Sequence, residues 1–130
     1  MARVLIVDDD RVAASIAKAI AEAAAEHVQT PFGIKPTIAT TVQEARGYLH
    51  QFNYELIIVD AMLAKDNDWA LLKEVRATHD KFTLPIIVTA PFESVKLSFA
   101  AVTAGANSWI TKPFQPEQLS SVLSIMCEGR

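Results

Sequence analysis

The chain has 130 residues, 51% of them hydrophobic, a formal charge of -3 and one cysteine. That length fits a single domain, 1–130, able to bury a real core. The mild acidity lacks the clustered Lys and Arg of a direct nucleic-acid surface, the lone Cys127 excludes an internal disulfide, and no apolar run is long enough for a membrane helix.

Along the chain, strand and helix signals alternate. Arg3 to Asp8 is a short apolar run rich in β-branched residues, as expected of a strand covered on both faces. Asp9 or Asp10 can cap the helix that follows, because a short carboxylate accepts bonds from its free first-turn N–H groups. Val12, Ile16 and Ile20 recur at four-residue spacing and predict that helix's buried stripe. Pro31, Gly33 and Pro36 predict a loop over His27–Pro36, and the first helix with this loop runs roughly half a dozen residues longer than is typical.

Thr37 to Thr40 is a short candidate strand, and Val42, Ala45, Leu49 and Phe52 share one face of a second helix. Glu55 to Asp60 is another buried strand ending in an acid. A helix marked by Leu72 and Val75 begins near Asp68, and Leu84 to Ala90 forms the next strand. Ser94 to Ala104 reads as a helix ended by Gly105 at positive φ. Asn107 to Thr111 is the last strand, and Leu119, Val122, Leu123 and Met126 stripe the last helix, where Cys127 reads as a small apolar residue. Five βα units with strands apolar throughout predict an α/β doubly wound fold: a five-stranded parallel sheet with helices on both faces.

Ligands of open parallel sheets bind beyond the carboxyl ends of the strands. There the first strand delivers Asp8 and Asp9, the third Asp60, the fourth Thr89 and the fifth Lys112. Crowded carboxylates repel and call for a cation; a hard divalent ion such as Mg²⁺ suits oxygen ligands of this kind. An Asp carboxylate can serve as a phosphoryl nucleophile. A nearby ammonium and hydroxyl can neutralise and bind phosphoryl oxygens.

VDD at 7–9, Asp60 after ELIIV, VTA at 88–90 and TKPF at 111–114 together resemble the receiver domains of two-component response regulators, over nearly the whole chain. The resemblance implies the flavodoxin-like (βα)5 fold with strand order 2-1-3-4-5. It implies Asp60 as phosphoacceptor, Mg²⁺ held by Asp8, Asp9, Asp60 and the backbone carbonyl of Met62, and phosphoryl contacts from Thr89 and Lys112. Trp109 falls at the family's aromatic switch position, and Lys112–Pro113 at its usual cis peptide.

The implied partners are a histidine kinase or histidine phosphotransfer domain, and a downstream target or attached output domain. The implied output surface is the face of the fourth helix, fifth strand and fifth helix, which also offers a route to homodimers. The N-terminus lacks the basic-then-apolar order of a signal peptide, so a cytoplasmic protein is expected, with no membrane partner.

The chain departs from the family pattern after Asp60, where Ala64 replaces a usual Pro and Asn67-Asp68 a usual Asp-Gly; a loop of normal length with a different turn is expected. Met62 and Pro91 are apolar and cannot orient water, which predicts slow loss of the phosphoryl group. Met62 also stands where an aspartyl-phosphate phosphatase carries a second acid, so an enzyme is not expected. The other alternative is a pseudo-receiver that binds partners without phosphorylation. His27, His50 and His79 have no acid or nucleophile at motif spacing and read as surface residues; Trp69 reads as a packing residue.

Overall fold

The computed structural model describes residues 2–24, 33–91 and 94–128, except for the side chains of 24 and 124–128. In chain order these form β1 (Ala2–Val7), α1 (Arg11–Ala24), β2 (Ile34–Ala39), α2 (Val42–Gln51), β3 (Leu56–Asp60), α3 (Ala61–Asp66), α4 (Ala70–Thr78), β4 (Ile86–Pro91), α5 (Val95–Ala104), β5 (Ser108–Lys112) and α6 (Pro116–Glu128). All strand pairs are parallel, and the order is β2-β1-β3-β4-β5, the flavodoxin-like arrangement expected.

Side chains alternate across a strand, so each central strand feeds two cores. Leu5, Val7, Ile57, Val59, Ile86 and Val88 pack on one face with Val42 and Ala45 of α2, Leu71, Leu72 and Val75 of α4, and Leu97 of α5. Val4, Ile6, Leu56, Ile58, Ile87 and Ile110 pack on the other with α1 and with Leu119 and Leu123 of α6. Each large side chain buried this way contributes about 1.5–3 kcal/mol by leaving water.

Four expectations are corrected. The buried face of α1 is Ala14, Ala17 and Ala21, whereas Val12 is 70% and Ile16 46% exposed. Alanines let the helix approach the sheet more closely than branched side chains would. β2 begins at Ile34, so the expected loop is shorter at its end and Pro36 lies within the strand, opposite Val4. An edge strand tolerates this, since its outward N–H has no ladder partner. Phe52 is not on the α2 face but at its C-cap, with the Arg3 guanidinium 4.2 Å from its ring centroid.

The expected loop after Asp60 is instead a sixth helix, α3, and the next helix starts at Ala70 rather than near Asp68. With Ala64 in place of Pro, residue 64 keeps its N–H and the helix can continue. Asn67 closes it, its backbone N–H donating to the Ala64 carbonyl and its side-chain amide to the Leu63 carbonyl. Asp68 and Trp69 then take positive φ values of 55° and 58°.

Gly105 does end α5 at positive φ, 126°. A Cβ there would also lie 2.7 Å from Cγ of Arg76. The 27–32 part of the first loop and the Met126 and Cys127 side chains lie outside the described residues.

Candidate functional site

Because the strands are parallel, their carboxyl ends share one edge of the sheet. β1 runs into Asp8 and Asp9, and β3 ends on Asp60, in register with Thr89 of β4. β5 ends on Lys112, in register with Pro91. Asp8, Asp60 and Thr89 are buried polar residues, 3%, 7% and 1% exposed. The Lys112 ammonium donates to both acids, Nζ to Asp8 Oδ2 at 2.7 Å and to Asp60 Oδ1 at 2.8 Å.

Backbone amides hold the remaining oxygens. Asp60 Oδ2 accepts from Leu63 N at 2.9 Å, so the acid also caps α3. Asp8 Oδ1 accepts from Asp10 N at 3.0 Å. Asp10, not Asp9, caps α1, accepting from Val12 N and Ala13 N. That leaves Asp9 exposed at the mouth of the site.

Burial raises the Asp8 carboxyl above its usual range, more than the bonds from Lys112 and Asp10 N lower it. Burial alone would depress the Lys112 ammonium, but the hydrogen bonds and charges of Asp60 and Asp8 outweigh it and hold Lys112 above its ordinary value. The lysine therefore stays charged between the two acids.

Two features fit the site to an added cation and anion. Carboxylate oxygens of Asp8, Asp9 and Asp60 lie within 4.8 Å of one another, three acids against one ammonium. The excess negative charge and all-oxygen donor set suit a hard divalent ion. Thr89 Oγ1 is buried with no hydrogen-bond partner among the described residues. An unmade bond of this kind costs about 1–3 kcal/mol, which an acceptor oxygen arriving beside Asp60 would recover.

The remaining residues singled out in the sequence lie around this cluster or away from it. Met62 is in the first turn of α3 with its side chain 43% exposed. A helical carbonyl runs along the axis toward the following turn, so using the Met62 carbonyl as a metal ligand would require that turn to open. Trp109 faces outward, 40% exposed, with its ring centroid 6.3 Å from that of Phe99 on α5. Lys112–Pro113 is cis. His50 and His79 are exposed, Trp69 packs against the core of the α2–α4 side, and His27 lies outside the described residues. The capping of α3 by Asp60 was not foreseen; its only sequence signal is an acid directly ahead of a helix-forming Ala-Met-Leu-Ala run.

Residues 4–124 match the family model for the response regulator receiver domain. The regulatory protein VanRB of Enterococcus faecalis is 31% identical over 114 residues, 87% of this chain and 46% of that protein. The receiver domain of the Francisella response regulator 1452 is 27% identical, with a TM-score of 0.76 over 97% of this chain and 96% of that one. A CheY-like receiver domain protein of Methanospirillum hungatei JF-1 is 25% identical, with a TM-score of 0.76 over 96% and 92%. The chain spans between 25% and 51% of the length of several curated relatives, among them the transcriptional regulatory protein ZraR of Salmonella typhimurium.

Proposed function

The chain belongs to the response regulator receiver family, and on that premise we propose that it is a signalling switch phosphorylated on Asp60. The observation that supports this best is the buried Asp60 carboxylate, held by Lys112 beside Asp8 and level with the unpartnered Thr89 hydroxyl. An Asp60 oxygen attacks phosphorus as the phosphohistidine P–N bond breaks. The phosphoryl group leaves the histidine nitrogen for an acyl phosphate, and the imidazole departs neutral after taking up a proton. Lys112 and the Thr89 hydroxyl bind the transferred oxygens, which is electrostatic stabilisation in place.

Asp8, Asp9 and Asp60, with the Met62 carbonyl once the first turn of α3 opens, would hold Mg²⁺, which supplies neutralisation of phosphoryl charge when bound. The donor would be a histidine kinase or histidine phosphotransfer domain. The output would be the α5–β5–α6 face, where Trp109 sits, acting on a partner, an attached output domain or a second copy. Phosphoryl contacts to Thr89 and Lys112 would bias that face between two arrangements.

Among the described residues no helix is long and apolar enough to cross a membrane; a cytoplasmic site of action fits that reading. The family is one of signalling proteins, and the second acid of an aspartyl-phosphate phosphatase is absent at Met62.

Incubation with Mg²⁺ and acetyl phosphate, followed by intact mass, tests the reading. One phosphoryl group is expected, dependent on Mg²⁺ and lost in Asp60→Asn. An unmodified mass, with beryllofluoride also leaving the protein unperturbed, would favour a phosphorylation-independent binding module. Met62 is exposed and apolar, so the adduct should decay slowly; Met62→Asn should hasten the decay, and an unchanged decay would remove Met62 from that role.

A further inference from the structure

Both oxygens of Asp60 already hold a donor, Lys112 Nζ on Oδ1 and Leu63 N on Oδ2. The second of these bonds is also the N-cap of α3. α3 has six residues, far short of the roughly 12–15 that an isolated helix needs in water. Its first turn contains no acidic residue, so the Asp60 carboxylate is what answers its free N–H groups and dipole.

The helix is tied to its surroundings at the other end and on its inner side. Trp69 N donates to the Ala64 carbonyl at 2.8 Å and Asp68 N to that of Lys65 at 2.9 Å, which joins α3 to the start of α4. Ala61 and Ala64 are buried, and α3 packs on α5 and β4. α5 carries Val95 and Phe99, both exposed, the latter against Trp109. α3 therefore stands between the acceptor acid and the face proposed for output.

Modification of Asp60 weakens the cap. In an acyl phosphate one carboxyl oxygen is bonded to phosphorus and the other is a neutral carbonyl, while the negative charge lies on the phosphoryl oxygens. A hydrogen bond to an ionised acceptor is about twice as strong as one to a neutral acceptor. A six-residue helix with no other acid in its first turn has little to replace that loss.

We propose that α3 is a latch, closed by the ionised Asp60 carboxylate and unwound when Asp60 carries a phosphoryl group, and that its unwinding withdraws support from α5. The proposal rests on Asp60 as phosphoacceptor and adds a route from that acid to the output face besides Thr89. Ala64 permits the latch, since the family's usual Pro lacks the N–H that a helix needs there.

The test is the Cα chemical shifts and amide hydrogen exchange of residues 61–66 in the whole chain, with and without Mg²⁺ and beryllofluoride. Helical shifts are expected in the free chain. With the mimic bound, coil shifts and about tenfold faster exchange are expected. Lys65 is exposed, so Lys65→Gly and Lys65→Ala should both fold; they lose the same charge and differ in helix propensity. At saturating Mg²⁺ the Gly variant should bind beryllofluoride about fourfold to fivefold more tightly than the Ala variant. Equal midpoints, or coil shifts already present in the free chain, would overturn the latch. Thr89 and Lys112 signals that move while residues 61–66 stay helical would overturn it too and leave the Asp60 reading standing. Unmoved Thr89 and Lys112 signals would contradict the Asp60 reading itself, and the latch would fall with it.

Discussion

At the carboxyl end of the sheet Lys112 lies between two buried carboxylates; at the amino end Arg76 lies among neutral oxygens. Arg76 Nε donates to the Gly105 carbonyl at 2.7 Å, and Nη1 donates to the carbonyls of His79, Asp80 and Leu84. Nη2 donates to Asn107 Oδ1, which also accepts from Ile86 N, while Asn107 Nδ2 donates to the Lys81 carbonyl. This network ties the end of α4 to the starts of β4 and β5. Its cation is met chiefly by carbonyl and amide dipoles, with the Asp80 carboxylate adding a smaller favourable charge. Lys112 instead holds acids that outnumber it, and on the proposed reading that end takes up a metal ion and a phosphoryl group. One cation locks the fold, and the other holds the proposed phosphoacceptor in place.

The largest effect should come from breaking the lock. Arg76→Ala removes the donor to the part-buried Gly105 and Leu84 carbonyls and one of the bonds to Asn107, and should cost about 3 kcal/mol in urea denaturation, while Asp60 is still expected to accept a phosphoryl group. Loss of phosphorylation in a folded Arg76→Ala would show that the two ends are not separable. Asp8→Asn should act in the opposite sense, modestly raising metal-free stability at pH 7 because burial makes the folded state disfavour the charged Asp8 while Lys112 keeps Asp60 as a partner, and weakening Mg²⁺ binding.

The two ends should also differ in pH dependence. The folded state raises the Asp8 carboxyl, chiefly by burial. Its stabilising contribution is therefore full below the unfolded value, near 3.8, and is lost as pH rises through the folded pKa. The wild type should fall behind Asp8→Asn across that interval in metal-free melts.

Between the ends, Asp68 holds positive φ without being glycine. Asp68→Gly should raise stability by about 1 kcal/mol, measured by thermal melting, and leave phosphorylation unchanged.

The smallest effect is at Asp80, on the amino end. Bonds from Thr83 N, Thr83 Oγ1 and Phe82 N hold its carboxyl below the usual range. Its contribution is present above the unfolded value and lost as pH falls through the folded pKa. Asp80→Asn should flatten only that acid limb of the melting curve.

The carboxyl end was legible in the sequence because its chemistry sits in short motifs at strand ends: VDD, Asp60, Thr89 and Lys112. The strands were legible because apolar β-branched runs have few other uses in a chain this short. The lock was not, because most acceptors of Arg76 are backbone carbonyls, which leave no signature, spread over residues 79–105.

The face of α1 is hidden from the sequence pattern for a related reason. Periodicity favours the larger Val12 and Ile16 inside, but close approach to the sheet selects Ala14, Ala17 and Ala21. The turn after Asp60 is unusual in the sequence, yet the consequence of Ala64, a helix in place of a loop, depends on the Asp60 and Asn67 caps at its two ends.

The most direct measurement is the amide and side-chain chemical shifts of the whole chain with Mg²⁺, before and after beryllofluoride. The two-ended account predicts large changes at Asp60, Thr89 and Lys112, smaller ones at Trp109 and Phe99, and Arg76 and Asn107 signals that stay in place. Unmoved Thr89 and Lys112 signals, or equal movement at Arg76, would contradict it.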